Sequence, residues 1–517
     1  MGLVESPPME LAQLVSRVAG ATVRGDPGTP IRGLAYHTRD VADGTLFFCV
    51  PGLKADGHDF AAAAVAGGAV ALVCEREVTA PVTSVLAPDV REALALMAAG
   101  WYGDPSRELR VTGVTGTNGK TTTAYLVAGI EAAAGRTSGL LGTVLNRIGG
   151  VDHPVELTTA ESLDLQRMFR EMADAGDEAC ALEISSHALA LRRSAGIAFD
   201  AVVFTNLTRD HLDFHADLDD YFAAKRRLFL PGGRRNGGAV AAVNTGDEYG
   251  RRLAEECRPC YGDDLWTFAV QEQPGDPPTA DATATDLELG AEGSAFTLLV
   301  PRLGVRERVA VRLSARFNVE NALAAATAAL ATGVTPAAVR QGLAATTSVP
   351  GRFEAVRAGQ PFGVVVDYSH TPDSLENALR AARAVSAGRV LAVFGCGGDR
   401  DRGKRPLMGE IGARLADEAF VTSDNPRTED PQAIIAEIVA GIPPARRSQV
   451  VVEPDRRAAI ALAVRSAREG DVVVIAGKGH EQGQKIGDRV IPFDDRTVVL
   501  EALAEIGWGE PAAEAGP

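Results

Sequence analysis

The sequence predicts an α/β fold in three domains, on three observations. Short apolar runs suited to buried strands recur along the chain, alanine-rich helical stretches separate them, and a glycine-rich loop joins one strand to the helix after it. Strands of this kind, alternating with helices, assemble into a mostly parallel sheet with helices on its faces. The 517 residues suit about three domains of ordinary size.

Each element follows in turn. Over residues 1–107 the runs 45–50 and 69–73 read as strands among alanine-rich helices, a small α/β domain. Trp101-Tyr-Gly-Asp-Pro-Ser106 combines Gly, Asp and Pro and reads as a hinge. A central domain, 108–347, opens with a strand at 109–114, the glycine-rich loop and a helix through about Ala134. Further strands are expected at 179–184, 201–204 and 238–243, and the domain closes with an alanine-rich helix at 319–332 and a shorter one after Pro336. The third domain, 348–517, begins near Val349-Pro-Gly-Arg352. Its strand candidates at 363–367, 390–394, 418–422, 450–452 and 471–476 suggest a Rossmann-like doubly wound sheet. The Ala/Gly/Pro tail reads as frayed.

Composition removes several function classes. At 46% hydrophobic and 23% charged, the chain is not disordered. Fifty-two basic against 68 acidic residues give a net charge of −16, so neither nucleic acid nor an anionic membrane is an expected partner. Phosphates can still be bound where cations are concentrated in one cleft. Six cysteines are too few for a disulfide scaffold, and Cys257 and Cys260 read as an incidental loop pair. No basic start leads into an apolar core, and no run of 18 apolar residues occurs, so a cytoplasmic protein is expected.

The strongest chemical signal is Gly116-Thr-Asn-Gly-Lys-Thr-Thr122. Glycines let backbone N–H groups of Gly116, Thr117, Asn118 and Gly119 turn onto phosphate oxygens, and the following helix adds the partial positive charge of its N-terminus. Lys120 can reach the β- and γ-phosphates, the Thr121 hydroxyl can ligate Mg²⁺, and Thr122 continues the cradle. Val114 stands where the strict pattern has glycine, with Gly113 and Gly116 on either side, so the loop is a variant. Such a loop alone does not name a reaction.

Separated motifs narrow the choice. Thr115 to Thr123, Thr158-Thr-Ala-Glu-Ser162, Glu183-Ile-Ser-Ser-His-Ala-Leu189, Thr205-Asn-Leu-Thr-Arg-Asp-His-Leu-Asp213 and Ala223-Ala-Lys225 occur in order. Arg316-Phe-Asn-Val-Glu-Asn321, Asp367-Tyr-Ser-His-Thr-Pro372, Phe394-Gly-Cys-Gly-Gly-Asp-Arg400 and Asp424-Asn-Pro-Arg427 follow. In this order and spacing the chain resembles the Mur ligases, ATP-dependent amide-forming enzymes that build the peptide stem of peptidoglycan.

The resemblance implies a UDP-sugar-binding domain, an ATP-binding domain and an amino-acid-binding domain over the three ranges above. Within the family the chain looks most like the member that adds meso-2,6-diaminopimelate to UDP-N-acetylmuramoyl-L-alanyl-D-glutamate through an acyl-phosphate. It implies Glu183 and His211, with Thr121, as magnesium ligands, and ATP with two Mg²⁺ as cofactors. Unaided, His211 also reads as a buried hydrogen-bonding histidine. Lys225 aligns with the family lysine that carries a carbamate (N6-carboxylysine), whereas on its own Ala-Ala-Lys-Arg-Arg reads as a solvated basic helix. The match assigns base and ribose contacts to Asn318, Asn321, Arg352 and Asp367, although Asn321 reads equally as a helix-surface amide. For the UDP-muramoyl-dipeptide it points to Tyr36, Thr38, Leu53, Lys54, Ala55, Thr158, Thr159, Ser185 and Arg193.

Diaminopimelate carries a carboxylate and an ammonium at its far end, and lysine only the ammonium. Arg427 offers a planar fork to a carboxylate, Arg400 a second cation, and Glu481 a partner for the ammonium. By resemblance Asp424, Asn425, Pro426 and Gly477 complete that pocket. The alternatives are the lysine-adding ligase of the same family, folylpolyglutamate synthetase, which lacks the UDP-binding domain, and a nucleotide-binding regulator with no amino-acid pocket. A monomer with small-molecule substrates is expected.

Overall fold

Strand Thr45–Phe48 is buried at all four positions because its two faces enter different cores. Leu46 and Phe48 pack with Leu94 and Met97 of helix Val90–Trp101, while Phe47 packs with Ala61 and Ala64 of helix Ala61–Ala66. A strand covered on both sides reads as one continuous apolar run, which is why the sequence exposes it. The computed structural model describes residues 8–52, 55–231, 237–271 and 279–509. They fall within two compact units, one spanning Met1–Thr115, Gly135–Val202 and Ala224–Val240, the other Gly116–Ala134, Val203–Ala223 and Ala241–Pro517.

In the first unit five strands lie in the order Thr22–Arg24, Thr83–Leu86, Ala69–Cys74, Thr45–Phe48, Gly33–Ala35, parallel except for the first pair. A second run is ordered Val151–His153, Asn146–Ile148, Ser138–Leu141, Ala179–Glu183, Arg110–Thr115. Its last three strands are parallel, and Asn146–Ile148 turns back on Val151–His153 as a hairpin.

In the second unit helix Lys120–Ala133 packs against helices Arg316–Ala331 and Pro336–Ala345. Strand Val240–Asn244 pairs in parallel with Leu265–Val270. Beyond it, Ala282–Gly290, Gly293–Val300 and Val305–Val311 form an antiparallel meander that the reading of the sequence did not anticipate. Gly293–Val300 buries alternate residues only, so it lacks the continuous apolar run that marks the parallel strands. Cys257 and Cys260 lie on helix Glu248–Tyr261 rather than in a loop, the first buried and the second exposed.

A six-stranded sheet follows in the order Glu354–Ala355, Gly363–Asp367, Val472–Ala476, Val390–Phe394, Glu418–Val421, Val450–Val452. All neighbours but the first pair are parallel. Val364, Val366, Leu391 and Val393 fill the core on one face, and Val365, Ala392, Phe394 and Val474 the core on the other. Parallel strands end on one common edge, so the loops after Asp367, Phe394, Val421 and Ala476 leave the sheet together.

Candidate active site

The phosphate loop is shaped by its glycines. Gly116 has φ +152°, and a Cβ there would come within 1.9 Å of Thr205 Oγ1; Gly119 has φ +86°, and a Cβ would meet Asn321 Oδ1 at 2.2 Å. Only glycine fits both positions. Lys120 Nζ donates to the carbonyls of Gly116 (3.0 Å) and Thr117 (2.9 Å). The stretch 205–208 clamps the loop: Thr205 Oγ1 donates to Asn118 O at 2.6 Å, Asn118 N to Asn206 Oδ1 at 2.9 Å, and Thr208 N to Thr117 Oγ1 at 3.0 Å. Asn118 Nδ2 and Thr208 Oγ1 both donate to Asp373 Oδ2, at 2.9 and 3.3 Å, and burial pushes that carboxyl's pKa up.

The residues expected at the nucleoside gather around the same loop. Asn318 and Asn321 sit one turn apart on helix Arg316–Ala331, and Asn321 Nδ2 donates to Asn318 Oδ1 at 3.1 Å. Asn321 is buried, so the helix-surface reading does not hold. Arg352 Nη2 donates to Thr121 Oγ1 at 2.9 Å, and its guanidinium lies 4.5 Å over the Tyr368 ring. Asp367 ends strand Gly363–Asp367; it accepts from Phe353 N at 2.6 Å and from Ser369 Oγ. Burial raises its pKa against the pull of Ser369 and Arg352.

In the first unit, Thr158, Thr159, Ser185 and Arg193 come together around the end of strand Ala179–Glu183. Thr159 Oγ1 donates to Glu183 O (2.9 Å) and accepts from Ser185 N (3.1 Å); Ser185 Oγ caps helix Ser186–Ala190. Arg193 Nη1 donates to Thr159 O at 3.0 Å and Nη2 pairs with Glu161 at 2.8 Å. Tyr36 donates its hydroxyl to Asp164 at 2.7 Å, and burial together with that carboxylate raises its pKa. Thr38 opens the short helix Thr38–Asp40, and Ala55 is exposed. Leu53 and Lys54 lie outside the described residues.

Among the described residues no three His, Cys, Asp or Glu side chains form a ready-made cation cluster. The first unit does hold a buried carboxylate and a buried lysine. Glu183 accepts from Thr143 N at 2.8 Å and Thr143 Oγ1 at 3.0 Å. Lys225 is 1% exposed, which corrects its reading as a solvated helix face. Adding CO₂ to that amine replaces a buried cation by a carboxylate, and the resulting oxygen-rich donors fit magnesium. In the second unit the His211 ring is about a third exposed rather than buried, and lies 3.4 Å from the Asp210 carboxylate. Burial opposes ionisation of Asp210, but His211, His370 and Lys404 outweigh it and hold the carboxyl well below its usual range.

The loops leaving the six-stranded sheet carry the remaining candidates. Arg427, at φ +52°, donates Nη1 to Gly398 O at 2.6 Å, and burial and Arg400 lower its pKa. Two guanidiniums held near each other form a place for an anion. Arg400 is exposed and donates to Asp399 O. Asn425 Nδ2 donates to Glu481 Oε2 at 2.7 Å, Asp424 and Pro426 are buried, and a Cβ on Gly477 would come within 2.5 Å of Asp424 Oδ2. Charges of both signs therefore stand on loops that leave one edge of the sheet, after strands Val390–Phe394, Glu418–Val421 and Val472–Ala476.

Comparison with known proteins identifies the family. Family models match over residues 30–102 (Mur ligase family, catalytic domain), 114–329 (Mur ligase middle domain) and 351–479 (Mur ligase, glutamate ligase domain). The UDP-N-acetylmuramoyl-L-alanyl-D-glutamate--2,6-diaminopimelate ligase of Geobacillus thermodenitrificans is 44% identical, over 96% of this chain and 100% of its own. The chain belongs to the Mur ligase family.

The Streptomyces avermitilis ligase of the same name is 45% identical over 96% of each chain. A solved structure of a UDP-N-acetylmuramoyl-L-alanyl-D-glutamate--2,6-diaminopimelate ligase superposes with a TM-score of 0.68 at 33% identity, covering 96% of this chain and 99% of that one. The MurF ligase from Thermotoga maritima in complex with ADP, 19% identical with a TM-score of 0.60 over 92% and 96%, shares the fold. This Mur ligase has the three-domain α/β fold of its relatives. What the sequence reading missed is the supporting layer: Asn206, Thr208 and Asp373 on the phosphate loop, Glu161 on Arg193, and Lys478 beneath Glu481. Asn206, Thr208 and Glu161 lay inside motifs already singled out, but nothing in their spacing marks them as supports.

Proposed function

We propose that this Mur ligase adds meso-2,6-diaminopimelate to UDP-N-acetylmuramoyl-L-alanyl-D-glutamate, with ATP converted to ADP and phosphate. The relatives sharing 44–45% identity over nearly the whole chain carry that name. The single structural observation supporting the choice of amino acid is that Arg427, which feels the charges of Arg400, Asp424 and Glu481, leaves the same edge of the six-stranded sheet as the hydrogen-bonded Asn425 and Glu481. A zwitterionic end needs both signs, whereas a lysine tail facing Arg427 would oppose like charges.

In the reaction the γ-phosphate of ATP passes to the terminal carboxylate of the dipeptide. The amine of diaminopimelate then attacks the acyl carbon, phosphate leaves with its bonding electrons, and the proton lost from nitrogen passes to the departing phosphate or to solvent. Gly116, Thr117, Asn118, Gly119, Lys120, Thr121 and Thr122 hold the phosphates, and Asn318, Asn321, Arg352 and Asp367 the nucleoside. Lys120 gives up the Gly116 and Thr117 carbonyls for phosphate oxygens, a charge-assisted exchange. Glu183 and carbamylated Lys225 of the first unit, and Thr121 and His211 of the second, are the proposed magnesium contacts. Bound magnesium would neutralise the crowded phosphate oxygens.

Tyr36, Thr38, Ala55, Thr158, Thr159, Ser185 and Arg193, with Leu53 and Lys54, are proposed to hold the UDP-muramoyl-dipeptide. Arg400, Asp424, Asn425, Pro426, Arg427, Gly477 and Glu481 hold the incoming amino acid. UDP-sugar, ATP and amino acid are accordingly assigned to domains 1–107, 108–347 and 348–517. A cytoplasmic monomer acting on small soluble substrates is part of the proposal; no helix among the described residues is long and apolar enough to cross a membrane. Phosphate release measured across a substrate panel tests the proposal. It should require the UDP-muramoyl-dipeptide and meso-diaminopimelate together; equal turnover with L-lysine would defeat the specificity.

A further inference from the structure

We infer that Lys478 is a positioning residue of the amino-acid pocket, its buried ammonium setting the orientation of Glu481 and Asn425. The inference rests on the assignment of those two residues to the incoming amino acid.

Lys478 follows the end of strand Val472–Ala476, between Gly477 at φ +121° and Gly479 at φ +53°. Its side chain is 0% exposed. The ammonium has three protons, and three acceptors face it: Gly483 O at 2.6 Å, Glu481 Oε2 at 2.9 Å and Asn425 Oδ1 at 3.1 Å. With its donors filled by protein, Lys478 has none to offer a substrate. Its effect passes through the groups it holds.

Those bonds decide two orientations. Asn425 Oδ1 accepts from Lys478 Nζ and also from Lys485 N at 2.9 Å, so the amide turns its Nδ2 toward Glu481 Oε2, 2.7 Å away. Glu481 Oε2 thus receives both Lys478 and Asn425 Nδ2. The other oxygen, Oε1, takes no hydrogen bond among the described residues, and the side chain is 31% exposed. The carboxylate presents one oxygen for an ammonium and is braced through the other. Remove the Lys478 charge and Glu481 Oε2 keeps only the Asn425 amide, which itself loses one of the two donors that fix its orientation.

Lys478→Met, purified and checked for folding by circular dichroism, should raise the KM for meso-diaminopimelate about tenfold or more while leaving the KM for ATP and for the UDP-muramoyl-dipeptide near wild type. The kcat at saturating diaminopimelate should change far less. Glu481→Gln and the double variant Lys478→Met/Glu481→Gln carry the test if the single variant does not fold, because the pair removes both charges together. The double variant should match Glu481→Gln in KM, since Lys478 acts through Glu481. An unchanged KM for diaminopimelate in folded Lys478→Met overturns the inference. So does an equal rise in all three KM values, or a double variant whose penalties multiply. A wild-type enzyme that releases phosphate without dependence on diaminopimelate would instead overturn the proposed reaction.

Discussion

Arg427→Ala isolates the contact that would distinguish diaminopimelate from lysine. The backbone at this position is held independently of the side chain: Arg427 N donates to Lys485 O at 3.0 Å, and Gly487 N donates to Arg427 O at 2.7 Å. Its φ of +52° is already borne by a residue with a Cβ, so alanine adds no new strain. Of the guanidinium, Nη1 is committed to Gly398 O, leaving the other edge for a carboxylate. One charge-assisted hydrogen bond contributes about 1.5–3 kcal/mol, which at about 1.4 kcal/mol per decade is about 10–150-fold in binding. Relief of the repulsion from Arg400 returns part of this, so the lower half of that range is expected. In a phosphate-release assay with diaminopimelate varied, KM should rise by that factor, with the KM for ATP unmoved. Turnover of L-lysine, which has no distal carboxylate, should not fall, so the preference narrows. A folded variant with unaltered KM for diaminopimelate would mean that the carboxylate is held elsewhere.

Three other outcomes are expected. Lys120→Ala should lower kcat by about 10²–10³-fold without altering the circular dichroism spectrum; a wild-type rate would remove the phosphate-loop assignment. Asp495→Asn should destabilise the fold by about 3–5 kcal/mol in urea unfolding, since it breaks a fork-on-carboxylate pair with Arg456 in which both side chains are 0% exposed. An unchanged midpoint would contradict that. Glu429, hydrogen-bonded to the buried Arg405, is held down at about 2. A carboxyl depressed in the folded state stabilises fully above its unfolded pKa and loses that contribution as pH falls toward the folded one. The stability gap between wild type and Glu429→Gln should therefore be largest near neutrality and shrink between about pH 4.5 and 2; a pH-independent gap would refute the pairing.

Legibility followed how each element is covered. The runs 201–204, 363–367 and 390–394 coincide with strands because burial on both faces makes such a strand apolar nearly throughout, whereas the half-exposed edge strand 450–452 shows itself through three β-branched valines. The meander from Ala282 to Val311 and the hairpin Gly483–Ile486 with Arg489–Pro492 escaped notice, since one or both faces meet solvent and their polar residues break the run. The same limit applies to side chains. Asn321 and Lys225 look like surface residues in their local sequence, yet both are buried.

The linear order of residues was enough to specify the parallel α/β architecture, the glycine-shaped phosphate loop and the types of charge available after each strand. Those are local matters of periodicity, backbone freedom and side-chain chemistry. Which distant residues brace one another was decided only on folding: Asp373 beneath Asn118, Arg352 on Thr121, Lys478 on Asn425. Hydrogen bonds depend on separations of about 3 Å, and partners separated by 53 to 255 positions in the chain reach that distance only when the folded backbone carries the loops after their strands together.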